Sequence, residues 1–189
     1  FQIITLERHK NHTFFSWHVF VENLPVGTWY GWRIDGPSLT KESGLRFDRE
    51  KLLLDPWARA ISDKLWNRSK ACQAGDNSKF AMKAAVVDNE DYDWEGDKPL
   101  VIRSEKAIIY ELHVGGFTRH PSSGVKNPGT FAGLIEKIPY LQQLGITHVE
   151  LLPVMAFDEQ DVPIHTAELG LKNYWGYSTH SFFSPHPGY

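Results

Sequence analysis

The stretch Ala107-Ile-Ile-Tyr-Glu-Leu-His-Val114 decides the fold, because this apolar, β-branched run has the length and composition of a strand. Behind it, apolar residues recur at helical spacing between Thr130, a candidate N-cap, and Gly145, which favours a helix end. A second strand-like run, Ile146-Thr-His-Val-Glu-Leu-Leu-Pro-Val154, comes next. The order of strand, helix and strand predicts one right-handed βαβ unit and therefore α/β architecture.

Glycine and proline mark where these elements end. Gly115-Gly116 predicts the end of the first strand. Pro139 cannot donate a hydrogen bond to the carbonyl of Ile135, and it would cost about 3 kcal/mol inside a continuous helix. We therefore predict two short helices, with Pro139 in the first turn of the second.

The rest of the chain carries weaker patterns. Phe14–Val21 and Thr28–Ile34 are strand runs around a Pro/Gly turn, so we predict that they pair as an antiparallel hairpin within a β-sandwich. Residues 62–105 are polar with few periodic signals, which is typical of connecting loops. The final stretch, 171–189, has aromatic residues broken by glycine and proline, which predicts a loop over the carboxyl ends of the strands.

Composition narrows the class of partner. The 20 basic and 23 acidic side chains form no basic stripe, so we expect neither a nucleic-acid nor a membrane partner. Aromatic residues make up 13% of the chain, which favours carbohydrate binding, although a ring-rich core explains any single ring equally well. The lone cysteine, Cys72, excludes an intramolecular disulfide and favours a reducing compartment. We expect a cytoplasmic protein, or a plastid protein if the source is a plant.

Four ionisable residues lie within the two predicted strands. Strand alternation places Glu111 with His113 on one face, and His148 with Glu150 on one face. They form either a general acid and base pair or a buried, mutually satisfied polar layer. The mid-strand positions favour the polar layer, because barrel catalysts lie at strand ends.

No metal or cofactor is predicted. The nine histidines show no His-Glu-x-x-His pattern and no recognised ligand spacing. The acidic run Asp88–Asp97 is typical of a surface loop, because the glycine and terminal glutamate of a calcium loop are not at the required positions. Motifs for a serine nucleophile or a phosphate loop are also missing, and Cys72 has no nucleophile motif around it.

Several segments together resemble the α-amylase superfamily of glycoside hydrolases (family 13), and within it the glycogen debranching and isoamylase group. In the second half these segments are Ile108–Thr118, Tyr140–Val154, Asn173–Tyr177 and Phe182–Pro185. In the first half, Leu24–Pro37, Arg46-Phe47 and Lys51–Pro56 resemble the starch-binding β-sandwich that precedes the barrel in these enzymes.

The resemblance implies a mixed fold. A partial immunoglobulin-like β-sandwich, a carbohydrate-binding-type module, is expected over 1–62, connecting loops over 63–105, and the first βαβ part of a (β/α)8 TIM barrel over 106–189. The implied activity is cleavage of α-1,6 branches in glycogen, amylopectin or limit dextrin by a retaining mechanism, with an Asp nucleophile, a Glu general acid and a second Asp. We expect an amino-terminal fragment that is inactive alone, because a barrel takes roughly 250 residues and the catalytic carboxylates lie on its later strands.

Site residues also follow from the resemblance. Tyr177 resembles the ring that stacks on the sugar at the cleavage point, with a packed loop aromatic as its structural alternative. Trp175 and Asn173 are weaker candidates for substrate binding, with a role in shaping the loop as the alternative. His186 stands where similar enzymes often have Asp, so no role is assigned to it.

Two other functions stay open. The chain is either a non-catalytic α-glucan-binding module, in which Trp29, Tyr30 or Trp32 forms a sugar platform, or a structural unit whose sandwich only braces the barrel.

Overall fold

The amino-terminal half of the chain folds into short strands and single helical turns. The computed structural model describes residues 2–38, 40–88 and 92–189. In chain order this half contains α1 (Arg8–Asn11), β1 (His12–Thr13), β2 (Ser16–Trp17), β3 (Trp29–Tyr30), α2 (Thr40–Ser43), β4 (Ile61–Ser62), α3 (Arg68–Ala71) and β5 (Lys83–Ala85). β1 pairs antiparallel with β2, and β3, β5 and β4 form an antiparallel sheet in that order.

The predicted hairpin between residues 14–21 and 28–34 is wrong. β3 pairs with β5, which places Tyr30 opposite Ala84, and β2 pairs with β1. Burial explains why β3 pairs with β5, because Ala84 has no exposed surface and Tyr30 packs against the core around it. The side chains of Phe14 and Phe15 are exposed, so this part of the predicted first strand contributes nothing to the core.

The main core lies beside this sheet and joins distant parts of the chain. Tyr30, Leu54 and Trp66 pack against its buried members, which are Ala58, Ile61, Met82, Ala84 and Ala156. Residues 63–105, predicted to be connecting loops, therefore supply a strand and two core side chains. The division into 1–62, 63–105 and 106–189 stays a prediction.

The carboxyl-terminal half contains longer elements. They are β6 (Ile109–Leu112), α4 (Val114–Arg119), α5 (Phe131–Glu136), α6 (Ile138–Gln143), β7 (His148–Leu151), β8 (Met155–Phe157), α7 (Ile164–Glu168) and β9 (Thr179–Pro185), with 3₁₀ turns at Ser104–Lys106 and Pro121–Ser123. β6 and β7 pair in parallel, so the strand–helix–strand unit predicted from the sequence is confirmed. None of the helices in the described ranges has the length and apolar character needed to cross a bilayer.

The predicted helix ends are confirmed. The Thr130 hydroxyl accepts a hydrogen bond from Gly133 N at 3.1 Å, Pro139 lies in the first turn of α6, and Gly145 follows that helix with φ of +83°. The first strand ends before Gly115, as predicted. The short helix α4 begins directly after it, which the two glycines did not indicate.

The loop predicted over 171–189 is wrong in its second part, because β9 pairs antiparallel with β8 there. Along β9 the buried side chains are Ser181 and Ser184, whereas Phe182 and Phe183 are exposed. The two buried serines flank two adjacent exposed rings, so β9 lacks the alternation of a half-buried strand and its periodicity did not reveal it. Both serine hydroxyls donate to the carbonyl of Ala58, at 3.2 and 2.5 Å, which satisfies them in the core.

Candidate functional site

The loop that carries the predicted substrate contacts is held by Asn173. The Asn173 side chain accepts a hydrogen bond from Gly176 N at 3.2 Å and donates one to the carbonyl of Asp158 at 3.4 Å. Its backbone N–H donates to the carbonyl of Glu159 at 2.9 Å. Both ends of the Asn173 amide are therefore used within the protein, which supports the loop-shaping interpretation of this residue.

Gly176 turns the loop outward. It is buried, has φ of +84°, and a Cβ placed on it would lie 3.0 Å from the Phe157 ring and 3.2 Å from Pro153 Cβ. A side chain here would therefore be strained in its backbone and crowded by its neighbours. The next residue, Tyr177, is 71% exposed, so the buried turn presents its ring at the surface.

A histidine at the end of β6 holds the other side of the loop. The His113 ring stacks on Tyr174 with centroids 4.2 Å apart and an interplanar angle of 11°. Its Nδ1 accepts a hydrogen bond from Gly116 N, so the neutral ring carries its proton on Nε2 and donates it to the carbonyl of Tyr174 at 2.8 Å. Trp175 follows with its indole exposed.

Tyr177 forms part of the wall of a shallow, open groove. The groove is lined by Arg68, Pro153, Met155, Asp161, Tyr177, Ser178, Thr179, His180 and Phe182. It therefore combines exposed rings with charged side chains from another part of the chain. Trp175 and Asn173 belong to the same loop, but they do not line this groove.

A buried carboxylate joins the groove to the segment before β5. Asp158 is fully buried and accepts hydrogen bonds from Trp66 Nε1 at 2.7 Å, Arg68 Nη1 at 2.6 Å and Gln160 N at 2.9 Å. The hydrogen bond to Asp158 raises the pKa of Arg68, so the guanidinium stays charged. Sequence reasoning missed this network, because its partners lie about ninety residues apart and no local motif joins them.

His186, to which the sequence assigned no role, packs beneath the loop. Its ring is buried and stacks on Phe157 with centroids 4.0 Å apart. Nδ1 accepts a hydrogen bond from Gly188 N, whereas Nε2 has no hydrogen-bond partner in the described part of the chain. Burial lowers the pKa of His186, and this effect is only partly opposed by Glu159, whose Oε1 lies 4.0 Å from Nε2. The ring therefore acts as a neutral packing surface at neutral pH.

The strand carboxylates do not form a buried layer. Glu111 and Glu150 are partners across β6 and β7, but both are exposed. His148 is also exposed, and His113 is turned towards Tyr174. These four residues therefore form no buried layer within this chain, and a mutually satisfied layer inside a closed barrel stays a prediction.

The three aromatic residues predicted as a sugar platform in the first half differ in exposure. Tyr30 donates a hydrogen bond from its hydroxyl to Asp55 at 2.8 Å, and burial raises its pKa, so it is a structural residue. Trp32 is half-buried and bridges to Leu53. Trp29 alone of the three is exposed, with the Lys83 ammonium 5.9 Å from its ring centroid.

The residues that the structure describes contain no candidate metal centre. Within residues 2–38, 40–88 and 92–189, His, Cys, Asp and Glu side chains form no group of three placed to hold a metal ion. Part of the acidic run, residues 89–91, lies outside the described residues.

Comparison with known proteins identifies what the chain is similar to. Residues 2–58 match carbohydrate-binding module 48, the isoamylase N-terminal domain. The chain is 40% identical over 187 residues to chloroplastic isoamylase 1 of Arabidopsis thaliana, and this alignment covers 96% of the chain and 23% of that protein. It is 38% identical over 183 residues to the glycogen debranching enzyme of Yersinia enterocolitica, covering 92% and 27%. The chain spans about a quarter of the length of the curated relatives it matches.

A solved structure is also similar over most of the chain. The pullulanase SAP of group B Streptococcus, determined in complex with maltotetraose, matches with a TM-score of 0.53 and 29% identity over 75% of this chain and 19% of that one. Residues 2–58 therefore match the carbohydrate-binding module 48 family, and the chain as a whole is similar to one part of isoamylases and glycogen debranching enzymes.

Proposed function

We propose that this chain is part of an enzyme that hydrolyses α-1,6 branch linkages of glycogen, amylopectin or limit dextrin with retention. The observation that carries the proposal is the loop from Asn173 to Tyr177, in which a buried, sterically required glycine presents an exposed tyrosine ring. The names of the relatives, isoamylase and glycogen debranching enzyme, support the substrate class.

In this proposal the loop residues have different tasks. Tyr177 stacks on a glucose ring, because its flat apolar face and polar edge suit the two kinds of surface that a sugar presents. Trp175 offers a second exposed ring to the same glucan. Asn173 contacts the substrate less directly and holds the loop in the shape that both rings need.

The architecture proposed for residues 106–189 is the first βαβ part of a (β/α)8 barrel, preceded by a sandwich over 1–62 and connecting segments over 63–105. The parallel pairing of β6 with β7 supports the barrel, and so does the exposure of all four residues of β7. Parallel strands are normally covered on both faces. The substrate loop also contacts the carboxyl end of β6, where His113 stacks on Tyr174, and barrels place their sites at this end of their strands.

The proposed compartment is the cytoplasm or a plastid. The Arabidopsis relative carries the word chloroplastic in its name. Cys72 is a free and exposed thiol, which a reducing compartment preserves.

Substitution of Tyr177 tests the proposed contact. The binding of maltohexaose to the 189-residue chain is measured by calorimetry, and we expect Tyr177→Ala to weaken it about tenfold, since a buried aromatic contact is worth about 1.5 kcal/mol. Tyr92→Ala is the matched control, because that ring is 68% exposed and lies away from the groove. Equal affinities of the two variants would refute the assignment of Tyr177.

A second assay tests the reaction. The chain replaces the corresponding segment of the Yersinia enterocolitica glycogen debranching enzyme, and release of branches from amylopectin is measured. We expect activity from the exchanged enzyme and none from the 189-residue chain alone, because the proposal assigns no catalytic carboxylate to its residues. Branch release by the isolated chain would overturn that division of roles.

The second candidate is a non-catalytic α-glucan-binding module, which the family of residues 2–58 favours. Trp29, on β3, is the exposed one of the three rings proposed for such a module. Affinity electrophoresis in amylopectin gels separates the two functions. Retardation that Trp29→Ala abolishes and Tyr177→Ala leaves intact would establish binding by the module.

A further inference from the structure

The groove beside Tyr177 has a charged wall that the proposed function does not use. Arg68 Nη2 lies 2.9 Å from Asp161 Oδ1, and the side chains of the two residues are 42% and 40% exposed. Both line the groove together with Tyr177 and the exposed ring of Phe182. An ion pair and two rings therefore share one open surface.

The guanidinium in this wall is fixed before any ligand arrives. Arg68 Nη1 donates to the fully buried Asp158 at 2.6 Å, and Asp158 is itself held by Trp66 Nε1. The backbone N–H of Arg68 also donates to the Gln160 side chain at 2.9 Å. Because these contacts already restrict the rotamers of Arg68, ligand binding costs less side-chain entropy than at a mobile surface arginine.

The chemistry of the pair fits adjacent hydroxyl groups. A guanidinium has five N–H donors in a planar fork, of which one contacts Asp158 and one contacts Asp161. The Asp161 carboxylate supplies acceptor oxygens beside those donors. Each sugar hydroxyl both donates and accepts, so two neighbouring hydroxyls match this arrangement. The carboxylates of Asp158 and Asp161 offset the arginine charge, which favours a neutral sugar over a phosphate.

We propose that Arg68 and Asp161 form a second glucose-binding position in this groove, which hydrogen-bonds adjacent hydroxyls of an α-glucan whose neighbouring glucose stacks on Tyr177. This inference rests on the proposed function and extends it to a segment before the βαβ unit, since Arg68 lies on α3. The glucan is thereby held by residues from two parts of the chain.

Substitution of Asp161 tests the second position. Maltohexaose is titrated into the 189-residue chain and into Asp161→Asn, and we expect the affinity of the variant to fall about tenfold, the effect of losing one charge-assisted hydrogen bond. Arg68→Lys keeps the charge but loses the fork, so it is expected to weaken binding similarly. Asp97→Asn is the matched control, because Asp97 lies outside this groove.

A purely structural role of Asp161 is distinguished by stability. Asp161 and Arg68 are both partly exposed, so the urea midpoint of Asp161→Asn should stay close to that of the unchanged chain while its affinity falls. A parallel fall of midpoint and affinity would overturn the direct contact. So would a lower affinity of Asp97→Asn equal to that of Asp161→Asn.

The outcomes also separate this inference from the proposed function. If Tyr177→Ala weakens maltohexaose binding and Asp161→Asn does not, the second position is refuted and the Tyr177 contact stands. If the unchanged chain binds no maltohexaose, the second position is refuted as well. Debranching by the exchanged Yersinia enterocolitica enzyme is then the separate measurement that decides the proposed function.

Discussion

Replacing Gly176 with alanine tests how the loop that carries Tyr177 is held. The new methyl group would meet the Phe157 ring at 3.0 Å and Pro153 Cβ at 3.2 Å, both closer than ordinary van der Waals contact. Phe157 is buried and stacked on His186, so its ring has little room to move. We therefore expect the backbone of the loop to shift rather than the core.

The expected loss of unfolding free energy in Gly176→Ala has two parts. A non-glycine residue in the left-handed region costs about 1–2 kcal/mol, and overpacking a close-packed site costs about 1–3 kcal/mol more. Gly145 isolates the first part, because its φ is +83° against +84° for Gly176 and nothing lies within 4 Å of a Cβ placed on it. The difference between Gly176→Ala and Gly145→Ala should therefore be about 1–3 kcal/mol in the free energy of unfolding.

Urea unfolding followed by tryptophan fluorescence measures this difference. With a slope of about 2 kcal/mol/M, the midpoint of Gly176→Ala should lie roughly 0.5–1.5 M below that of Gly145→Ala. Maltohexaose binding should weaken in the first variant only, because only there does the loop move. Equal midpoints of the two variants would refute the reasoning, since they would show that the site relaxes without strain.

Two further substitutions probe the contacts around the loop. Burial keeps the pKa of His186 below its usual 6.5. Below about pH 6.5 the unfolded chain therefore binds a proton that the folded chain does not. The free energy of unfolding is highest above about pH 6.5 and falls as the pH drops towards the pKa of the folded state. His186→Phe should flatten this part of a urea-midpoint profile, and an unchanged slope would contradict the assignment. Trp66→Phe removes a hydrogen-bond donor from the buried carboxylate of Asp158 and should lower the free energy of unfolding by about 1–3 kcal/mol. Trp94→Phe, at an exposed ring, should change it little. Equal urea midpoints of the two variants would contradict this expectation.

Features encoded by a few neighbouring residues could be predicted from the sequence. The cap at Thr130, the break at Pro139 and the helix end at Gly145 each depend on one side chain and its local backbone. The parallel pairing of β6 with β7 followed from two apolar runs joined by a helix. In each case the physical cause lies within one element or its immediate connection.

Features that depend on distant partners could not be predicted. β9 was not predicted because its buried residues are serines, whose hydroxyls donate to the Ala58 carbonyl more than 120 residues away. The pairing of β3 with β5 places Tyr30 against a core whose members are spread from Ala58 to Ala156. The position of Tyr177 at the surface followed from the resemblance, whereas the groove wall formed by Arg68 had no sequence signal.

The last residue of the segment that matches module 48 is a structural partner of the strand that follows the loop. The carbonyl of Ala58 accepts hydrogen bonds from Ser181 and Ser184 on β9, the strand that begins two residues after Tyr177. Ala58 also shares its core with Ala156 on β8, which pairs with β9. Movement of the first half of the chain would therefore change the loop directly, because a close-packed core transmits strain. The segment that matches module 48 is thus coupled to the candidate site through packing.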